Sequence, residues 1–302
     1  MVQAHRIKAL AIVGCTAVGK SDAAIKLAKC FNGEIIGADS MQIYRGFDIG
    51  TGKLTAAECD GVVHKMIDIA DGDADFSVGE YVQIARLEIE KTHSSGKLPI
   101  IVGGTGLYVY SLLSGCNFAG APKDNNIRTY LKLIAHFFGS KVLHHMLGGI
   151  DGASADKISC NDCKRVIRAL EIFCLRGETK SEVISQDKPY DDLTIVLTLP
   201  RDILYNKINR RVHKMFDDGL IDEVKSLMRY KNNTSMQALG YKQIAADISA
   251  PREALEQLTA QKTRNYAKRQ MTYFNNMKLN KVFIDARDYD SVKTTVAKFL
   301  EN

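Results

Sequence analysis

The segment Gly14 to Ser21, GCTAVGKS, satisfies the spacing G-x-x-x-x-G-K-[ST] at every position. It follows the apolar run Ala9 to Val13 and precedes a helix-like stretch from Asp22 to Phe31. A glycine-rich turn between a buried strand and a helix N-terminus aims several backbone N–H groups at one point, which suits a di- or triphosphate. Gly14, Cys15, Thr16, Ala17, Val18 and Gly19 would supply that cradle, Lys20 a charge at the distal phosphates, and the Ser21 hydroxyl a ligand for Mg²⁺. The plain alternative is a chance glycine turn, which the strand–loop–helix context disfavours. The loop alone does not decide between a nucleotide and another polyphosphate.

Two further strand ends carry polar chemistry. In Glu34 to Tyr44, EIIGADSMQIY, a short apolar run ends in Asp39-Ser40, a carboxylate and a hydroxyl at the edge where open α/β sheets bind ligands. Asp39 reads as a magnesium ligand, as a general base facing an acceptor, or simply as a helix cap or turn residue. In Pro99 to Tyr108, PIIVGGTGLY, a strand ends in a glycine corner where backbone approaches a ligand closely and Thr105 presents its hydroxyl. Three such corners on one sheet edge are stronger evidence than any one. Cys160 and Cys163 have zinc-like spacing, but no second pair accompanies them, so no metal site is expected there.

The elements that must position these residues follow from periodicity. Apolar, β-branched runs at Ile7 to Val13, Glu34 to Ala38, Pro99 to Val102, Thr194 to Leu199 and Lys281 to Ile284 alternate with helical patterns. That alternation predicts an α/β fold of the P-loop NTPase-like kind, a mostly parallel sheet flanked by helices. Ser77 and Glu80 are spaced as a capping box, opening a helix that runs to about His93 and stops near Gly96. Between about Gly115 and Tyr190 the spacing is helical, as in Ile127, Leu131 and Ile134, with no convincing buried strand. The expected organisation is therefore a core over 1–115, a helical insertion over 116–192, and the rest of the core over 193–302. Asp202 to Tyr230 reads as two helices punctuated at Gly219, with Leu204, Ile208, Val212 and Met215 as the apolar stripe and Lys207, Arg211 and Lys214 on another face. A last long helix spans about Pro251 to Met277.

Composition narrows the class. With 302 residues, 45% hydrophobic and 25% charged, the chain can bury a sizeable core in one large domain or a domain with an insertion. No apolar stretch reaches the roughly 18 residues of a membrane span, and no signal peptide or membrane association is expected. Seven scattered cysteines suit reduced thiols in a cytosol better than a disulfide framework. The net charge of +6 is a mild hint of a polyanionic partner. Lys262, Arg264, Lys268, Arg269, Lys278 and Lys281 lie without an intervening Asp or Glu among Tyr266, Tyr273 and Phe274. Basic residues among aromatics suit a single-stranded RNA loop, against the plain reading of a solvated face.

The motifs GCTAVGKS, DSMQIY (39–44), FDIGTGK (47–53), IIVGGTGLYV (100–109), NDCKRVIRALE (161–171), ALGYKQ (238–243) and TRNYAKRQMTYF (263–274) together resemble the tRNA dimethylallyltransferases, in order and over nearly the whole chain. Family members move the allyl group of dimethylallyl diphosphate onto the exocyclic amine of the adenine just 3′ of certain tRNA anticodons. The resemblance implies that the phosphate loop holds a diphosphate leaving group, with Lys20 and Mg²⁺ neutralising charge as the C–O bond breaks. Asp39 matches the catalytic aspartate, and Thr105 is implied beside the reacting nucleotide. Ser40, Met41 and Gln42 would line the adenine pocket; Lys164, Arg165, Val166, Ile167 and Arg168 match a second tRNA-contacting segment. Arg264, Lys268 and Arg269 would contact the RNA. Cys15, Val18, Asp151-Gly152 and Tyr273 depart from the family's usual residues. The absence of a zinc-finger extension favours the bacterial type, expected as a cytoplasmic monomer acting on a tRNA anticodon stem-loop.

Other classes share parts of this pattern. A P-loop kinase would use the same loop but need ATP and a phosphoryl acceptor. An adenylate dimethylallyltransferase would have no use for the basic stretch, and an RNA-binding module without catalysis would not need Lys20, Ser21 and Asp39.

Overall fold

The computed structural model describes residues 6–116, 123–179 and 188–301. By its internal contacts the chain divides into two compact units, Met1–Ser114 with Lys188–Asn302, and Gly115–Asp187. The parts of the expected insertion at 117–122 and 180–187 lie outside the described residues.

The first unit runs β1 (Ile7–Gly14), α1 (Lys20–Cys30), β2 (Gly33–Gly37), β3 (His64–Lys65), α2 (Val78–Ser94), β4 (Leu98–Gly103) and α3 (Gly106–Leu113). The second unit follows with α4 (Asn125–Phe138), α5 (Ser140–Ile150), α6 (Gly152–Ala155) and α7 (Cys163–Arg176). The first unit then resumes with β5 (Tyr190–Thr198), α8 (Arg201–Asp217), α9 (Leu220–Ser226), α10 (Tyr241–Ala246), α11 (Arg252–Asn276), β6 (Lys281–Asp285) and α12 (Tyr289–Glu301).

The six strands form one parallel sheet in the order β3-β2-β4-β1-β5-β6. β1 is covered on both faces, which is why it reads as a continuous apolar run. Its side chains alternate: Leu10 and Ile12 join a core with Leu27 of α1, Ile208 of α8 and Val296 of α12. Ala9, Ala11 and Val13 join the opposite core with Ile89 of α2, Leu112 of α3 and Phe274 of α11. After β1 the chain builds one side of the sheet, and after β4 it crosses to the other. The C-terminal ends of β1 and β4 are therefore a switch point, where a parallel sheet leaves a crevice.

The expected capping box is present: Ser77 N donates to Glu80 Oε2 (2.8 Å) and Glu80 N to Ser77 Oγ (3.2 Å). α2 ends just before Gly96, whose φ of 71° suits glycine. Three features differ from the sequence expectation. β5 begins at Tyr190 rather than Thr194, because Tyr190 to Leu193 pair with Ile7 to Leu10 and take Asp191 and Asp192 into the strand. β3 has only two residues, too few for a periodic signal, and the shorter α12, not picked out from the sequence, closes the fold beyond the expected last long helix.

Within the second unit, Leu131, Leu143, Leu147, Val166, Ile167 and Leu170 form a separate core. Beside it Glu171 is fully buried, and accepts from Arg128 Nε (2.8 Å), Arg168 Nη1 (2.6 Å) and Asp124 N (2.8 Å). Burial alone would raise its pKa, but these donors outweigh it and lower the pKa, so the buried charge is compensated. No strand occurs among the described residues of this unit.

Candidate active site

The phosphate loop follows from β1 meeting a glycine it cannot replace. At Gly14 (φ 148°) a Cβ would meet the Leu197 carbonyl oxygen at 2.6 Å, so a side chain would push β1 from β5. Ala17 (φ 63°) and Gly19 (φ 108°) carry the left-handed turns that curl the loop into α1. The loop is held down by its side chains: Val18 and Cys15 are each only 1% exposed, and the Cys15 thiol donates to Ala267 O (3.2 Å) in α11. These two positions can therefore serve a phosphate through backbone rather than side chain.

Lys20 folds back over the loop and donates to Cys15 O (2.8 Å). Burial, and then the nearby Arg211 charge, push its pKa down to about 8, with Asp39 pulling the other way. Two cations held together with one carboxylate leave an excess of positive charge in a partly enclosed space. An anion there would relieve that repulsion.

Gln270 of α11 clamps two corners together. Its Oε1 accepts from Thr16 N (2.9 Å) while its Nε2 donates to Gly104 O (2.9 Å). Gly103 is a steric requirement, because a Cβ there would collide with the Ala38 backbone carbonyl; one on Gly104 would displace the Gln270 side-chain amide that clamps the corner. The close approach brings the third corner to the second. Thr105 N donates to Ala38 O (3.1 Å), Ser40 N to Thr105 Oγ1 (3.0 Å), and the Thr105 and Ser40 hydroxyls are 3.2 Å apart.

Asp39 Oδ1 accepts from Met41 N (2.9 Å), so the turn-stabilising role is real and coexists with its place on the cavity wall. Met41 is half-buried against the core, whereas Gln42 lines the cavity and donates through Nε2 to Thr51 O (3.1 Å) and Gly52 O (3.3 Å). The cavity gathers Thr16, Lys20, Ser21, Asp39, Gln42 and Arg211, with Tyr266 and Gln270 from α11 on its wall. Burial, then the Asp39 charge, raise the Tyr266 hydroxyl to about 12, against hydrogen bonds with Gln270 and Thr105.

Arg211 is the main residue missed from sequence. It sits on α8 where periodicity puts it beside outward lysines, yet it reaches inward and donates through Nη2 to Thr51 O (3.3 Å). The loop it meets is rigid: Glu223 accepts from the backbone of Asp48, Ile49 and Gly50, and Tyr241 OH donates to Glu223 Oε1 (2.5 Å). The signal lay in the DIGTGK segment, whose glycines need a partner that fills the space they leave. A Cβ on Gly52 would clash with the Arg211 guanidinium.

The basic stretch separates into two parts. Lys262, Lys268 and Arg269 are exposed, with Arg269 over the Tyr266 ring at 5.7 Å. Arg264 is half-buried and donates to Asn209 Oδ1 (2.6 Å) of α8. Lys281 donates to the carbonyls of Phe274, Asn275 and Met277, so it closes the C-terminus of α11. Phe274 is fully buried and offers nothing to a ligand.

On α7 of the second unit, Lys164 and Arg165 are exposed, but Val166 (0% exposed) and Ile167 (6%) belong to that unit's core. Of the five residues matched to a tRNA-contacting segment, the side chains of Val166 and Ile167 are thus committed to the core, which leaves the exposed ones as candidates for contact with RNA. A helix turns 100° per residue, and this one must bury a face. Arg168 is tied to Glu171.

Residues 42–277 match the IPP transferase family. The chain belongs to that family. The match begins after the phosphate loop and Asp39, but relatives extend over both. A tRNA dimethylallyltransferase of Halalkalibacterium halodurans is 44% identical over 94% of this chain and 92% of its own length. One from Bacillus cereus strain B4264 is 42% identical over 100% of this chain and 96% of its own. The crystal structure of a tRNA isopentenylpyrophosphate transferase from Bacillus halodurans superposes with a TM-score of 0.73 at 41% identity, covering 97% of each chain. A eukaryotic dimethylallyltransferase acting on tRNA gives a TM-score of 0.83 at 28% identity, covering 97% of this chain and 77% of that one. The P-loop NTPase-like core is thus the family's fold, and the relatives support the transferase reading rather than a kinase or an adenylate-directed enzyme.

Proposed function

We propose that the protein transfers the dimethylallyl group of dimethylallyl diphosphate to the exocyclic amine of the adenosine immediately 3′ of the anticodon in certain tRNAs, giving N6-(dimethylallyl)adenosine. The observation that carries this reading is the cavity that faces Lys20 and Arg211 with Asp39, two cations for a leaving diphosphate and a carboxylate for a departing proton. The allylic C–O bond breaks and its electron pair leaves on the diphosphate, which Lys20, Arg211 and the loop N–H groups receive. The amine nitrogen bonds to the allylic carbon, and Asp39 takes the proton it sheds. Because such an amine is a weak nucleophile, holding it near the carbon contributes as much as the base; Thr105, Ser40 and Gln42 are the residues for that task. The adenine must first leave its stack, at about a few kcal/mol that pocket contacts offset.

The oxygen donors at the loop suit Mg²⁺. Ser21 lines the cavity with Asp39, and among the described residues no group of three or more His, Cys, Asp or Glu could enclose a metal. A magnesium ion there would take its remaining ligands from the diphosphate and water, as this ion prefers, and would supply charge neutralisation. Exposed Lys268 and Arg269 of the first unit, and Lys164 and Arg165 of the second, are proposed to hold the RNA backbone. A cytoplasmic monomer is part of the same proposal; the seven free cysteines suit a reducing compartment. Among the described residues no helix is long and apolar enough to cross a membrane.

The test is mass spectrometry of an unmodified anticodon stem-loop incubated with the protein, Mg²⁺ and dimethylallyl diphosphate. The expected product has one dimethylallyl group in place of one hydrogen on that adenosine. An unchanged oligonucleotide, or phosphoryl transfer from ATP in its place, would overturn the reading.

A further inference from the structure

A second cavity, of about 280 Å³, lies in the first unit between the start of α8 and α11 and against Cys15 of the phosphate loop. Its size is near the lower end of small-ligand pockets, roughly 300 to 1,000 Å³. It suits a single ring system rather than a nucleoside triphosphate. Leu204 and Met271 give it apolar walls, and Tyr205 gives it an aromatic one. Arg201, four residues before Tyr205 on the same helix face, holds its guanidinium 5.1 Å from the Tyr205 ring centroid. Arg201 and Lys268 are exposed at its rim, and among the described residues no acidic side chain lines it.

Apolar walls, a flat ring, and two rim cations, one of them the Arg201 guanidinium that lies over that ring, fit an aromatic heterocycle carrying a phosphate. They do not fit the prenyl donor. Thr16, Lys20 and Ser21 all line the other cavity, and the loop offers this one only Cys15, whose thiol is engaged with Ala267 O. Lys268 belongs to the exposed basic face of α11, so the heterocycle belongs with the RNA.

We infer that this cavity receives a second unstacked nucleotide of the anticodon loop, its base against Tyr205 and Met271 and its phosphate between Arg201 and Lys268. The inference rests on the tRNA reading above. It gives the enzyme a second point at which loop conformation and sequence are checked, separate from the adenosine that reacts.

The test measures binding of an unmodified anticodon stem-loop to the wild type and to Arg201→Ala, Tyr205→Ala and Thr272→Trp. Arg201 and Thr272 are exposed positions whose replacement spares the core. The indole that Thr272→Trp introduces at the rim occupies the space proposed for the base. All three variants are expected to bind the stem-loop more weakly, Tyr205→Ala and Thr272→Trp by about 5- to 150-fold, the range for losing one stacked base, with affinity for inorganic pyrophosphate unchanged. A companion scan replaces each loop nucleotide in turn by an abasic one. In the wild type, one position besides the acceptor adenosine should weaken binding, and that penalty should vanish in Tyr205→Ala and Thr272→Trp. Variants that bind as the wild type does, that lose pyrophosphate affinity in parallel, or that keep every abasic penalty would overturn the inference. Competition by adenosine monophosphate that is lost in Tyr205→Ala without any abasic penalty would assign the cavity to a free nucleotide instead. A wild type that does not bind the stem-loop at all would sink the tRNA reading itself, a distinct result.

Discussion

The phosphate loop and helix α7 both presented themselves as runs of consecutive residues, and the two runs behave differently. In the loop, Cys15 and Val18 anchor the turn from beneath by their side chains, which leaves the backbone of the run as the part that can meet a phosphate. In α7, residues 164–168 are spread around a cylinder, so Lys164 and Arg165 meet solvent while Val166 and Ile167 meet the core. A contiguous motif can be a contiguous site when backbone does the binding. When side chains on a helix do it, only one face can serve.

The largest expected effect tests the loop. Lys20→Ala removes one of two cations facing the leaving diphosphate, and transfer should fall by about 10³ to 10⁵, the range for comparable phosphate-neutralising cations. Inorganic pyrophosphate should compete with the donor in the wild type and hardly at all in the variant. Near-normal single-turnover rates would remove Lys20 from the mechanism. Next comes Asp39→Asn, which keeps the shape and the hydrogen bond from Met41 N but cannot take a proton. A loss of about 10² to 10⁴ in the transfer step, with donor affinity unchanged, is expected of a base. Recovery of activity by added Mg²⁺ would show a metal ligand instead.

The basic face of α11 extends the same contrast, because exposure divides it. Lys268→Ala with Arg269→Ala should flatten the salt dependence of stem-loop binding by roughly 0.7 to 0.9 in log–log slope for each lost phosphate contact. Arg264→Ala should change the slope less, since Arg264 is already engaged with Asn209. Equal effects at all three positions would mean that burial does not sort this face.

A smaller effect is expected from pH. The ligand-free Lys20 has its pKa pushed down to about 8 by burial and Arg211, so its charge is present below that pH and lost above it. Pyrophosphate affinity should fall several-fold between about pH 8 and 9 as the proton leaves. Pyrophosphate itself only grows more negative in that direction, so the fall must come from the protein. Lys20→Ala should flatten the profile.

Much of this was legible in the sequence because it rests on short-range rules. The alternation of Leu10 and Ile12 with Ala11 and Val13 follows from strand period, and the Ser77–Glu80 box marks a helix start by local hydrogen bonds. The three corners were legible because Gly14 and Gly103 are steric necessities close to chemistry-bearing neighbours. What escaped depends on distant partners. Arg211 shares the α8 surface pattern of Lys207 and Lys214, and only the glycine-lined loop at Thr51 and Gly52 makes room for it to turn inward. Lys281 looked like one more cation of a basic run until the carbonyls at the end of α11 claimed it. Gln270, a neutral residue inside that run, carries no sign of its own that it links Thr16 to Gly104.

The smallest effect bears directly on α7, and it separates the two kinds of residue within one helix. Lys164→Ala and Arg165→Ala each remove an exposed charge, so stem-loop affinity should drop by roughly two- to fivefold, the size of an exposed ion pair, and thermal stability should stay put. Ile167→Ala empties part of a packed core, so it should cost about 2 to 4 kcal/mol of the second unit's stability. Measured well below the unfolding transition, its stem-loop affinity should match the wild type, because the side chain is buried in the core that holds Leu131 and Leu147. Parallel denaturant melts and binding titrations of the three variants decide the matter. If Ile167→Ala weakens RNA binding as much as Lys164→Ala does while leaving the melt unchanged, the helix face assigned to the core is wrong. Binding losses confined to the two cations would instead establish that this stretch of α7 reads the RNA with its exposed face alone.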